Sequence, residues 1–180
     1  MSLILVTGGS RSGKSQFAEK LTIASALPVI YVATGLKPDP QQDPEWAERV
    51  QQHVQRRPPD WQTVESGLDW GSLREAGIAP EQCYLIDSLG GWVAAGLDWD
   101  PEDWQEWTTE LVTVLTGFSG QVIVVAEEVG SGLVPAYPQG RLFRDRIGSL
   151  AQQVGSHADA VYWVTAGFAV NLREIGQSVV

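Results

Sequence analysis

One stretch near the N-terminus leaves this chain few ways to fold. Gly8-Gly9-Ser10-Arg11-Ser12-Gly13-Lys14-Ser15 fits G-x-x-x-x-G-K-[ST], the P-loop pattern. Leu3-Ile4-Leu5-Val6 before it is an apolar run suited to a buried strand. Phe17, Ala18, Leu21 and Ala24 after it recur at helical spacing. The order is therefore strand, glycine loop, helix. Backbone N–H groups in such a loop converge on phosphate, and the helix N-terminus adds positive potential. Gly8 and Gly13 permit the tight turn. Lys14 would reach the β- and γ-phosphates, and the Ser15 hydroxyl would ligate Mg²⁺. A glycine turn that merely joins strand to helix is the plainer alternative, and the flanking elements favour nucleotide binding.

The rest of the chain alternates strands and helices. Strands are predicted at Val29–Thr34, Gln62–Glu65, Tyr84–Asp87 and Val122–Ala126. Asp43-Pro44 reads as a cap with proline at the first helical position, opening a helix to about Arg56 that stops before Pro58-Pro59. Trp46, Val50 and Val54 give that helix one apolar stripe. Asp100-Pro101-Glu102-Asp103 opens another helix, striped by Trp104, Trp107, Leu111 and Leu115. A long helix is expected from about Gly140 to His157, and a weak one over Ser72 to Ala76. Lys37 to Gln42 reads as a mobile, proline-rich surface loop. Val161–Val164 and Phe168–Val170 flank Ala166-Gly167, short enough for a hairpin. The expectation is a single α/β domain over 1–180. Its sheet is mostly parallel with helices on both faces, ending in an antiparallel hairpin strand. Ligands of such sheets bind at the carboxyl ends of the strands. The P-loop, Thr34-Gly35, Asp87 and Glu127-Glu128 all follow strand ends and should line one edge.

The formal net charge of −10 argues against a nucleic-acid surface. An anionic nucleotide must then find local positive groups. The single cysteine, Cys83, lies in an apolar run and reads as a small buried hydrophobe in a reducing compartment. No leader-like segment precedes the first strand and no apolar run reaches the length of a membrane span, so a cytoplasmic protein is expected. Most of the eight tryptophans fall at helical spacings and read as packing residues.

Asp87 ends an apolar strand downstream of the P-loop, where it would hold Mg²⁺ together with Ser15. The same aspartate also fits a cap on the following turn. His53 flanks the apolar stripe of its helix, with Arg49 one turn before and Arg56 and Arg57 one turn after. Arginine forks suit phosphate oxygens. Their charge favours the neutral imidazole, whose lone pair can attack an α-phosphorus, while the helix C-terminal dipole pulls the other way. An exposed histidine among solvated charges fits the same spacing. Glu65 fits a ribose or base contact, or an exposed carboxylate. His157, beside Ala158-Asp159 at a helix end, reads as structural or solvated.

With these residues assembled, the chain resembles the bifunctional adenosylcobinamide kinase / adenosylcobinamide-phosphate guanylyltransferase family of cobalamin biosynthesis. The resemblance runs from Leu5-Val6-Thr7-Gly8-Gly9 through Arg11–Ser15 and Tyr31–Thr34. It continues through Arg49-Val50-Gln51-Gln52-His53, Arg57-Pro58, Trp61, Thr63 and Glu65. Later it takes in Glu128–Pro135, Phe143-Arg144-Asp145 and Gly148. It implies a RecA-like P-loop NTPase fold and a trimer. It also implies two reactions: phosphorylation of adenosylcobinamide with ATP or GTP, then transfer of GMP from GTP to adenosylcobinamide phosphate through a GMP-histidine. His53 matches the guanylylated histidine. The family's nucleotide contacts map onto Gly8, Gly9, Ser10, Arg11, Ser12, Gly13, Lys14 and Ser15. Others fall on Ala33, Thr34 and Gly35, on Val54, Gln55, Arg56 and Arg57, and on Glu65 and Asp87. The chain departs from the pattern at Gly90, where relatives carry a threonine nearby, and at Ala95 and Ala151, near common asparagines. These changes touch the corrinoid or kinase step rather than the nucleotide transfer residues. Two other functions fit the P-loop alone: a kinase for another small metabolite, and a non-catalytic GTP-binding regulatory module.

Overall fold

The computed structural model describes residues 2–35, 39, 41–68 and 81–179. The expected loop at Lys37 to Gln42 falls partly, and the weak helix over Ser72 to Ala76 wholly, outside the described residues. In chain order the elements are β1 (Ser2–Gly8), α1 (Lys14–Ala24), β2 (Val29–Ala33), α2 (Pro44–Arg56), β3 (Gln62–Glu65), β4 (Cys83–Asp87), α3 (Leu89–Ala95), α4 (Pro101–Gly117), β5 (Gln121–Glu127), α5 (Pro138–His157), β6 (Ala160–Thr165), β7 (Phe168–Asn171) and α6 (Leu172–Ile175). The sheet order is β3-β2-β4-β5-β1-β6-β7. Every pairing is parallel except β6 with β7, which form the expected antiparallel hairpin.

The strands read as continuous apolar runs because both faces of the sheet are covered. Period-2 alternation divides them. Leu3 and Leu5 of β1, Tyr84 and Ile86 of β4, and Val122 and Val124 of β5 point to one core, shared with α3, α4 and α5. Ile4 and Val6, Cys83 and Leu85, and Ile123 and Val125 point to the other, where Ala18 of α1 packs. The buried Cys83 is the small hydrophobe expected, and burial raises its thiol pKa.

Trp92, Trp104 and Trp107 are buried in the first core, as their helical spacing suggested. Trp104 stacks on Trp107 at 5.3 Å between ring centroids. The Trp92 and Trp107 indole N–H groups donate to the Ser66 and Leu68 carbonyls. Arg146, buried beside Trp104, donates to the Gly96 and Trp99 carbonyls. The stripe on α2 behaves differently. Trp46 is 37% and Val54 54% exposed, and no residue of α2 enters either core among the described residues. The Trp46 ring lies instead against Gly35, where a Cβ would come within 3.0 Å of it. α5 begins two residues earlier than expected, because Pro138 fits its first turn, and the short α6 carries no periodic signal long enough to read.

The register places the parallel strand ends together. Gly8 pairs with Glu127, Asp87 with Val125, and Ala33 with both Asp87 and Glu65. The edge expected from the sequence is formed.

Candidate nucleotide-transfer site

The loop from Gly8 to Gly13 turns the chain from β1 into α1 as the glycine pattern requires. Gly13 sits at φ 97°, in the left-handed region, at the N-cap of α1. A side chain at Gly8 would run into the Val164 carbonyl and the Ser12 hydroxyl. No side chain caps α1, so its first N–H groups point into the loop without an internal acceptor. The Ser12 Oγ is likewise buried with no hydrogen-bond partner. Uncapped donors and an unpaired hydroxyl at a helix start suit a phosphate. Lys14, nine-tenths buried, donates from Nζ to the Gly9 carbonyl at 3.2 Å, and so lies folded along the loop. Ser10 and Arg11 stand exposed at its rim, Arg11 with φ 56°.

Asp87, at the end of β4, joins this loop to α2. Its Oδ1 faces the Ser15 Oγ at 3.5 Å. Its Oδ2 accepts from the Tyr31 hydroxyl at 3.0 Å and lies 3.4 Å from His53 Nδ1. Burial alone would raise the Asp87 carboxyl. The hydrogen bond and charge of His53, the Tyr31 hydroxyl and Lys14 outweigh it and hold the group below the usual carboxylate range. Tyr31, buried against that carboxylate, has its own hydroxyl pushed well above the usual range by burial first and Asp87 second.

α2 carries His53 because its start and stop are local. The Asp43 side chain accepts the Trp46 N–H at 2.9 Å, Pro44 opens the helix, and the chain turns extended at Arg57 before Pro58. Of the arginines whose side chains are described, not all frame the imidazole as the spacing suggested. Arg56 does: its Nη2 lies 3.3 Å from His53 Nδ1 while it also meets Glu19 Oε1 at 3.2 Å. Arg57 instead turns to Tyr31, its guanidinium 3.3 Å above the ring centroid and its buried Nε without a partner. The side chain of Arg49 is outside the described part. The new neighbour is Asp87, about thirty residues on along the chain; no helical spacing places it there.

The remaining expected contacts divide. Ala33, Thr34 and Gly35 sit at the end of β2, next to Asp87. The Thr34 hydroxyl accepts from the Ser88 N–H at 3.0 Å and donates to the Ser88 carbonyl, so it ties β2 to the turn after β4. Val54 and Gln55 lie exposed on the last turn of α2. Glu65 is exposed at the end of β3, the strand at the sheet's outer edge. His157 is a surface group beside Ser156 and the Gln153 carbonyl. Glu127, at the edge but given no role from sequence, accepts from the Ser88 hydroxyl and from the Gly90 N–H.

A glycine loop opening an uncapped helix, faced by a strand-end acid from the same sheet edge, defines a P-loop nucleotide-binding protein of the RecA-like kind. An ATPase from the type III secretion system of pathogenic bacteria shares this fold, with a TM-score of 0.54 at 13% identity over 99% of this chain and 59% of that one. The model of the family described as cobinamide kinase / cobinamide phosphate guanyltransferase matches residues 4–172, and the chain belongs to that family of transferases. The bifunctional adenosylcobalamin biosynthesis protein CobU of Salmonella typhimurium is 35% identical over 185 residues, covering 95% of this chain and 99% of the relative. CobP of Pseudomonas aeruginosa, of the same description, is 32% identical over 170 residues, covering 94% and 96%.

Proposed function

We propose that this chain phosphorylates adenosylcobinamide with ATP or GTP and then transfers GMP from GTP to the product through a GMP adduct on His53. The observation that carries the reading is the shared carboxylate of Asp87, which faces the P-loop serine with one oxygen and His53 with the other. Nδ1 faces Asp87, so Nε2 is the ring nitrogen left to carry the free lone pair. With Nδ1–H donated to Asp87, the Nε2 lone pair attacks the α-phosphorus of GTP and the bond to the bridging oxygen breaks, releasing pyrophosphate. An oxygen of adenosylcobinamide phosphate then attacks the same phosphorus, the P–N bond breaks, and His53 is restored. Lys14 and the loop N–H groups hold the polyphosphate, and Arg56, beside the histidine, meets the phosphate oxygens, with Arg57 over the Tyr31 ring completing the positive charge of the site. Ala33 to Gly35, Val54, Gln55 and Glu65 complete the nucleotide site in this reading.

The hydroxyl of Ser15 and the Oδ1 of Asp87 are two hard oxygen donors facing one another, a pair that fits Mg²⁺. When bound, the ion would neutralise charge on the phosphates.

Among the described residues no helix is long and apolar enough to cross a membrane. We place the enzyme in the cytoplasm and read it as a homotrimer, in keeping with the exposed Leu133, Tyr137, Phe168 and Ile175.

The test is incubation with α-³²P-GTP and Mg²⁺, alongside His53→Asn. An acid-labile, base-stable label absent from the variant supports the adduct. No label from protein that binds GTP would leave a kinase for another metabolite or a regulatory module.

A further inference from the structure

Phosphoryl transfer to a hydroxyl releases a proton, and the residues given roles above leave it no acceptor. Lys14 is a cation. Both oxygens of Asp87 are engaged, by Ser15 on one side and by Tyr31 and His53 on the other. Three further carboxylates end strands or begin loops on the same edge. Glu65 sits on β3, separated from the P-loop strand by β2, β4 and β5. Glu128 accepts the Ser131 N–H at 2.9 Å and so belongs to the loop that leaves the edge.

Glu127 is placed differently. It ends β5, the strand between β1 and β4. Its backbone is in register with Gly8, the first residue of the P-loop, and the next N–H donates to the Gly8 carbonyl at 2.9 Å. Its carboxylate is pinned on the other side of the strand end. Oε1 accepts from the Ser88 hydroxyl, and Oε2 accepts from the Gly90 N–H at 3.0 Å. Ser88 and Gly90 are the first and third residues past Asp87. A Cβ on Gly90 would collide with the Glu127 carboxylate, so the glycine is what admits the group to this position. A carboxylate offers about four acceptor positions, and two remain.

We propose that Glu127 is the general base of the phosphorylation step, an inference that rests on the bifunctional reading above. The carboxylate takes the proton of the substrate hydroxyl as that oxygen bonds to the γ-phosphorus. The bond from the γ-phosphorus to the β,γ-bridging oxygen breaks, and its electron pair leaves with the nucleoside diphosphate. The guanylyl step needs no such base, because its nucleophiles, the His53 Nε2 lone pair and a phosphate oxygen, carry no proton to be removed. Gly90 is then part of the kinase apparatus, since it leaves room for the carboxylate and donates its N–H to it.

The test is Glu127→Gln in the full chain, measured by γ-phosphoryl transfer to adenosylcobinamide and, separately, by α-³²P-GTP labelling of His53. Glutamine keeps the size, and its amide can accept from the Gly90 N–H while donating to the Ser88 hydroxyl oxygen, but it cannot take the proton. A fall in phosphorylation of about 10²–10⁴-fold, with labelling within about twofold of wild type, is expected. Phosphorylation near the wild-type rate would overturn the proposal and leave Glu127 a cap for the turn after Asp87. Equal loss of both reactions, with GTP still bound, would overturn it as well. Should the glutamine variant not fold, Glu127→Ala with added formate decides: restored phosphorylation supports a missing base, and no restoration by formate opposes it. Wild-type protein lacking either reaction would instead count against the bifunctional reading itself.

Discussion

The P-loop and helix α2 supply the two halves of one site, yet they are held to the molecule by different forces. The P-loop grows from β1, buried between β5 and β6, and α1 behind it packs Ala18 into a core. Among the described residues α2 gives none to either core and leaves Trp46 and Val54 partly exposed. It is tied down by His53 to Asp87, Arg56 to Glu19 and Arg57 over Tyr31. Apolar burial is large, non-directional and shared across the sheet. A polar contact contributes roughly 1 kcal/mol net and depends on geometry. The phosphate cradle is therefore preorganised by the whole domain, whereas the nucleophile is positioned by a few groups that single substitutions can remove.

The sharpest way to break this comparison is to separate the two halves by reaction. His53→Asn should abolish the covalent label, a loss of at least about a thousandfold in guanylyl transfer, while GTP binding by equilibrium dialysis stays near wild type. Lys14→Ala should depress both reactions by about 10²–10³-fold, because both use the P-loop phosphates. Retention of either at full rate would mean the halves do not share a phosphate site.

Asp87 joins the halves, and its titration reports on that joint. Its folded-state carboxyl lies below the usual carboxylate range, so it stabilises the fold at neutral pH, and that contribution is lost as pH falls through and below that range. The difference in Tm between wild type and Asp87→Asn should be widest near neutrality and close in acid. Tyr31→Phe sharpens the comparison further. It keeps the ring under Arg57 but removes a donor to the buried Asp87, and should cost about 1 kcal/mol in chemical denaturation, with guanylyl transfer falling more than phosphorylation. The smallest effect is expected from Asp43→Ala, which removes the α2 cap: about 1 kcal/mol or less, seen as faster amide exchange in α2 with the P-loop helix unchanged.

Much of this was legible in the residues themselves. The apolar strands, the Asp43-Pro44 and Asp100-Pro101 starts and the Ala166-Gly167 turn are local signals with local causes, and the structure reproduces them. The stripe on α2 misled, because periodicity shows that a helix has an apolar face but not whether anything covers it. Arg57 misled for a related reason. Helical spacing placed it beside His53, but the helix ends at Arg56 and the next residue swings to an aromatic ring on another strand. The partnership of His53 with Asp87, and the seat of Glu127 beside Gly90, have no signature along the chain, since each joins residues more than thirty positions apart.

By itself the sequence determined the elements, the strand–loop–helix that cradles phosphate, and the edge on which the ligand groups gather. Those follow from backbone preferences and apolar periodicity acting over a few residues. Only the tertiary structure decided which carboxylate meets which donor: Asp87 between Ser15 and His53, Tyr31 on the same oxygen as His53, Glu127 opposite Gly8. Those contacts depend on the order in which strands add to the sheet and on where side chains at their ends come to rest, and both are settled by packing across the whole domain.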